Sequence, residues 1–270
     1  MVDKTLNKHL RKGRHGFHIV SVRPWPIFTA LRSYCLVLGL VLWFAGFGFN
    51  HVVFGVLAIR LNCGLWWRDV IRESTFGGNH TSVVVRSHAI GITLFIVSER
   101  LLFFSFFWAF FHSRLAPTPE IGCSWPPAGI QPINPWKIPL FNTIVLISSG
   151  VTVTWAHRAL CAGKLNEALF GLSCTVLLGR YFTYLQLCEY LIARYSIADR
   201  IFGSIFFIAT GFHGLHVLVG TLFLIVCLGR IYCLQFSTNH HFGFEAAIWY
   251  WHFVDLVWIL LFLCIYVWGR

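Results

Sequence analysis

The sequence predicts an all-α integral membrane protein with seven transmembrane helices, and three observations carry that prediction. Hydrophobic residues make up 57% of the chain and charged residues only 11%, with a mean hydropathy of +0.70, which is too little charge for a water-facing surface. Seven apolar stretches occur at about 29–49, 52–67, 88–112, 139–162, 167–192, 201–229 and 242–268. Most reach the roughly 20 residues that a helix needs to cross a hydrocarbon core about 30 Å thick. None alternates with the period of a strand. In lipid every backbone N–H and C=O must pair within the chain, so helices are the remaining solution. A chain of 270 residues then has no room for a soluble domain, and residues 1–270 read as one membrane domain.

The elements follow in order. Residues 1–28 form a basic tail that lacks the short apolar core and small-residue cleavage site of a removed secretory signal. The second stretch is short, holds Arg60, and is divided from the first by the turn-like Asn50-His51, so 29–75 reads as one helical hairpin. Trp66 and Trp67 end it at a membrane interface, where indole keeps its ring in lipid and its N–H among head groups. Arg68, Asp69, Arg72 and Glu73 come next, spaced to pair three and four residues apart on the emerging helix. Helices three to seven occupy 88–269, interrupted at 113–138 by Pro117, Pro119, Pro126, Pro127, Pro132 and Pro135, which disfavour helix and predict a rigid surface loop. Ser148, Ser149 and Gly150, with Gly211, Gly214 and Gly220, are expected to let helix backbones approach closely. The Phe and Trp residues of the third and seventh stretches fit either a lipid-facing girdle or a subunit interface. No internal repeat is visible, which weighs against an inverted-repeat transporter.

Seven spans put the termini on opposite faces. Lys4, Lys8, Arg11, Lys12, Arg14, Arg23, Arg68, Arg72, Arg86, Arg158, Lys164 and Arg230 fall on the amino-terminal side, against Arg114, Lys137, Arg194, Arg200 and Arg270 on the other. By the positive-inside rule the amino terminus faces the compartment of synthesis. The net charge of +11 then describes a positive inner face suited to anionic lipid head groups. With no soluble basic module, nucleic-acid binding is excluded.

Polar groups inside the spans carry the chemistry. A carboxylate near the bilayer centre costs about 2.5–3.5 kcal/mol on insertion scales, so it faces a protein neighbour, a water-filled cleft or an ion path. Glu99 sits near the middle of the third stretch, and Glu245, His252 and Asp255 lie in or beside the seventh. His213 and His216 share a helical face, while His240 and His241 open the last stretch. Haem ligation needs facing histidines from two helices at matched depth, and no such pattern is present. The histidines therefore read as groups bonded across helices or touching lipid head groups. Nine cysteines, at 35, 63, 123, 161, 174, 188, 227, 233 and 264, show no CxxC pair and no ligand-type clustering. They are expected to be small buried hydrophobes, with neither disulfides nor a thiolate metal site.

Five motifs occur together: WWRDVIREST at 66–75, FFWAFFHS at 106–113, LAPTPEIGCSWPP at 115–127, ATGFHGLHV at 209–217 and HHFGFEAAIWYWHFVDLVWILLFLCIYVWGR at 240–270. In order and spacing the chain resembles the subunit III family of mitochondrial cytochrome c oxidase from about Phe17 to Gly269. The resemblance implies a two-helix plus five-helix bundle around a lipid-filled cleft. There a phospholipid (phosphatidylglycerol, phosphatidylethanolamine or cardiolipin) would be held at Trp67, Glu73, His80, His216 and Arg230. It implies a non-redox core subunit with no catalytic residue and no metal of its own, the haem a and copper lying in partner subunits. Those partners are oxidase subunits I and II. The expected role is to support subunit I and the entry of its proton path, in the mitochondrial inner membrane, with the amino terminus in the matrix.

Family members carry a glutamate at the position of Glu99, but Arg100, Arg114 and Arg180 depart from the pattern. A guanidinium at Arg100 weighs against direct proton relay by Glu99, although successive helical residues point about 100° apart. Two other classes stay open. A stand-alone ion or proton transporter would also place Glu99, Glu189 and Asp255 in the membrane, but with broken helices or repeats. A membrane cytochrome would bind haem through the histidines. Quinol-oxidising relatives differ in a donor that another subunit reads; the motifs favour cytochrome c.

Overall fold

In a computed structural model, the described residues, 16–270, form seven α-helices and no strand. They are α1 Trp25–Phe44, α2 Asn50–Thr75, α3 Ser82–Leu115, α4 Ile138–Cys161, α5 Leu165–Ile192, α6 Arg200–Tyr232 and α7 Phe242–Leu261, which runs on as a π-helical segment Phe262–Trp268. Lys4, Lys8, Arg11, Lys12 and Arg14 lie outside the described residues. Six of the helices are long and apolar enough to cross a membrane, and the chain is an all-α membrane protein. The remaining helix, α2, has 26 residues and at about 39 Å is long enough, but Arg60 and the charged 68–73 segment dilute its apolar character. Contacts divide the chain into two compact units that meet inside α3, one ending at His88 and the other running Ala89–Arg270.

In the first unit α1 and α2 form the expected hairpin, but its turn is not at Asn50-His51. The first helix ends at Phe44, the turn occupies 45–49, and Asn50 already begins α2. Gly46 at φ +89° and Gly48 at φ +85° adopt the left-handed region that side-chain-bearing residues avoid, so the glycines set the reversal and not the Asn-His pair. Two more glycines bring the helices together. A Cβ on Gly39 would lie 2.9 Å from the His51 carbonyl carbon, and one on Gly55 would lie 2.8 Å from the Leu36 Cα. Buried Asn62 bonds the Trp25 carbonyl at 3.1 Å and the Thr29 hydroxyl, and Arg32 reaches the Ala58 carbonyl at 3.0 Å. Gly55→Val is expected to force the pair apart at a cost of about 1–3 kcal/mol. Protease cleavage in the 45–49 turn would report it; unchanged cleavage would mean that the helices do not touch there.

The second unit is organised around α7. Trp251 and Trp258 are completely buried and belong to the core, whereas Trp249 and Trp268 of the same span are exposed. Trp251 fits between two backbones: a Cβ on Gly179 of α5 would meet its ring at 2.7 Å, and one on Gly220 of α6 at 2.9 Å. Its indole N–H donates to the Ser149 hydroxyl of α4 at 2.9 Å, and that of Trp258 to the Thr143 hydroxyl at 3.0 Å. Small residues thus admit one large ring among four helices, since contact between helices in lipid rests on close packing. The expected packing glycines are confirmed only in part. Gly220 serves, and Gly150 faces Asp255, but a Cβ on Gly211 or Gly214 would meet nothing within 4 Å, and Ser148 is exposed.

The Pro-rich loop holds one short 3-10 turn, Pro119–Ile121, with proline at the start where its missing N–H costs nothing. Trp125 ties this loop to the carboxyl end by donating to the Gly269 carbonyl at 2.8 Å, and the Arg114 guanidinium stacks 4.1 Å above the Trp268 ring.

Candidate functional site

Glu99 has a partner that its sequence neighbours do not reveal. Its Oε2 lies 2.8 Å from Nε2 of His216, which comes from α6, 117 positions away. The other ring nitrogen of His216 is 2.6 Å from the Phe212 carbonyl. A carbonyl can only accept, so Nδ1 donates to it, and Nε2 is the ring atom that faces the carboxyl. A hydrogen-bonding partner lowers the cost of placing a carboxyl group in a span. Phe103 meets the imidazole edge-on at 5.1 Å, and Tyr250 lies parallel to it at 6.3 Å. Side-chain exposure is 9% for His216 and 22% for Glu99, so the pair is sheltered by aromatic rings yet reachable from one side. Arg100 is exposed, and Glu99 turns to the histidine instead.

Of the other residues expected to hold lipid, Trp67, Glu73 and His80 belong to the first unit and Arg230 to the second. In the first unit Glu73 accepts from Arg23, with His18 at 3.7 Å. Asp69 accepts the Trp25 indole N–H at 2.7 Å and pairs with adjacent Arg68 at 3.0 Å. The charges of the 66–75 motif therefore do not pair three and four residues apart along α2, as expected. The partners come from the segment before α1 and from its first residue, which also brings opposite charges and an indole donor to the end of α2. His80 places its ring 5.0 Å from that of His88, and Trp67 is 65% exposed.

In the second unit Arg230 stacks 4.0 Å over Phe236 and donates to Gln235 at 3.3 Å. His216 is 14 residues back on the same helix, about 21 Å along its axis, so these two do not share one contact point.

Other polar groups of the spans form clusters of their own. Tyr266 donates to Glu189 Oε1 at 2.6 Å, and Gln186 bridges the two at 3.4 Å, all buried. Asp255 has His252 at 3.8 Å, while its Oδ1 is buried without a hydrogen-bond partner among the described residues. Both line a groove of about 580 Å³ between α4 and α7 that also includes Gly150, Thr154 and Arg158. His213 bonds the Val254 carbonyl at 3.2 Å between Phe182 and Trp258.

The expectation that cysteine joins no ligand-type cluster is corrected in space. Cys161 converges with His157 and His241, their ligand atoms all within 4.8 Å of one another. The signal available in sequence was two i, i+4 pairs, His157 with Cys161 and His241 with Glu245, but nothing local says that the two pairs meet.

The family model for cytochrome c oxidase subunit III matches residues 15–270. The protein named cytochrome c oxidase subunit 3 of Lumbricus terrestris is 56% identical over 256 residues, covering 95% of this chain and 99% of its own. Its namesakes in Branchiostoma lanceolatum and Struthio camelus are 54% and 53% identical over 255 residues, each covering 94% of this chain, and 97% and 98% of their own lengths.

Proposed function

The chain belongs to the cytochrome c oxidase subunit III family, and from that premise we propose that it is a non-redox core subunit of the terminal respiratory oxidase. It sits in the mitochondrial inner membrane with its amino terminus in the matrix, alongside subunits I and II. The haem and copper of the complex, which accept electrons from cytochrome c and reduce dioxygen, belong to those partners. This chain supports subunit I and its proton uptake, and holds phospholipid through residues such as Trp67, His80 and Arg230.

The observation that carries this reading is the Glu99–His216 pair at 2.8 Å. A hydrogen-bonded carboxyl–imidazole pair in an aromatic surround suits a role in proton supply or in ordering a lipid-facing surface, with no electron carrier required. Glu99 bonds a histidine of its own chain, while Arg100 is exposed. The stand-alone transporter is less well supported. Such proteins bind ions where helices are unwound at mid-membrane, whereas α3 and α6, which hold the pair, run unbroken through 34 and 33 residues.

Glu99→Gln in the assembled oxidase is expected to leave the haem and copper spectra unchanged while shortening turnover lifetime or slowing proton uptake several-fold. Arg230→Gln is expected to lower the co-purifying phospholipid. Loss of the haem signal from an assembled complex containing either variant would contradict the proposal. Purification of the native chain free of haem-bearing partners would favour the transporter.

A further inference from the structure

At the end of α4 and the start of α7, ligand atoms of His157, Cys161 and His241 lie within 4.8 Å of one another, with a carboxylate oxygen of Glu245 beside the two imidazoles. His241 Nε2 lies 3.2 Å from His157 Nε2, 3.6 Å from the Cys161 sulfur and 3.3 Å from Glu245 Oε1, and His157 Nε2 is 4.0 Å from the same oxygen. With Zn–N and Zn–O bonds of about 2.0–2.2 Å and a Zn–S bond of about 2.3 Å, the edges of a tetrahedral site run to roughly 3.3–3.8 Å. These four separations bracket that range, and Cys161 lies within 4.8 Å of His157. We propose that His157, Cys161, His241 and Glu245 form a binding site for a zinc-class divalent cation.

Hydrogen bonding alone does not account for the arrangement. His241 Nδ1 is 2.9 Å from the Ser237 carbonyl, which can only accept, so the ring proton sits on Nδ1 and Nε2 presents a lone pair. Nε2 then has three polar neighbours, the His157 nitrogen at 3.2 Å, the Cys161 sulfur at 3.6 Å and a Glu245 oxygen at 3.3 Å, and a hydrogen bond can serve only one of them. A proton on Nε2 would relieve one of its three contacts; a metal ion serves all of them. The Ser237 bond is also the outer support that metal-ligating histidines use to fix their tautomer and aim.

The donor set is suited to zinc in kind as well as in geometry. Two neutral imidazoles, a thiolate and a carboxylate cancel the charge of a dication, so the loaded site is neutral at the edge of a low-dielectric span. Position allows entry: His241 is buried, while His157 and Glu245 are about one third exposed, and Cys161 is exposed. His157 and Cys161 are i, i+4 on α4 and project from one face, while His241 immediately precedes α7 and Glu245 lies in its first turn.

Maleimide labelling of the intact, EDTA-stripped complex, read at Cys161 by peptide mass spectrometry, tests the proposal, with exposed Cys233 of the same chain as control. Micromolar zinc is expected to slow labelling of Cys161 about tenfold or more and to leave Cys233 unchanged, because a coordinated thiolate is not free to react. EDTA should reverse the effect. His157→Gln should raise the zinc concentration needed for half protection by roughly ten- to a hundredfold. Equal labelling with zinc and with EDTA, or equal slowing at both cysteines, would overturn the site. Should Cys161 resist labelling in EDTA, zinc uptake by the stripped complex decides: elemental analysis should find one ion fewer in His157→Gln than in the wild type, and equal uptake refutes the proposal.

Discussion

Trp251→Ala is expected to destabilise the second unit by about 3–5 kcal/mol, the largest effect of any single replacement considered. The ring is fully buried, lies against the backbones at Gly179 and Gly220, and bonds Ser149. Removing it leaves a cavity that α4, α5 and α6 cannot collapse into without breaking their own contacts. The loss is one of packing, because lipid is as apolar as the ring and transfer into lipid supplies little drive. Thermal denaturation of the complex in mild detergent measures it. Trp251→Phe should cost clearly less, and a Trp251→Ala protein that melts with the wild type would show that the ring does not bridge these helices.

Tyr266→Phe comes next, at about 1.5–3 kcal/mol, because it removes the hydroxyl that donates to Glu189 at 2.6 Å and leaves a buried carboxyl with only the 3.4 Å contact from Gln186. The result should depend on the acid. In a Glu189→Leu background, where the acceptor itself is gone, Tyr266→Phe should cost little, since replacing both partners by apolar groups is close to neutral. The difference between the two backgrounds is the coupling energy. Equal costs in both would mean that the hydroxyl serves some other group.

Much of the architecture was legible along the chain. Helix number, the hairpin and the Pro-rich loop follow from stretch length and from where proline and glycine interrupt apolar runs, and these are local properties. Local reading failed where two residue types competed for one role. Asn50-His51 resembled a turn, but Gly46 and Gly48 made it, since only they enter the left-handed region at no cost. Gly211 and Gly214 resembled packing positions, but a Cβ on either would meet nothing within 4 Å among the described residues, whereas Gly179, not singled out, touches Trp251.

The candidate site was half legible. Glu99 was identifiable because a carboxylate in a span is costly wherever its partner lies. Its partner was not, since 117 residues separate it from His216. The cysteine spacing likewise gave no sign that Cys161 meets His241, 80 positions on.

The sequence by itself determined that this protein is a helical membrane protein and which family it resembles, because hydropathy and motif order are written residue by residue. Tertiary structure alone decided which helix faces meet, and so which polar groups are paired. A helix that is apolar all round carries no stripe to mark its inner side. In lipid, contact is then chosen by the fit of rings such as Trp251 against glycines, and by bonds such as Glu99 to His216, that form only when distant segments come together.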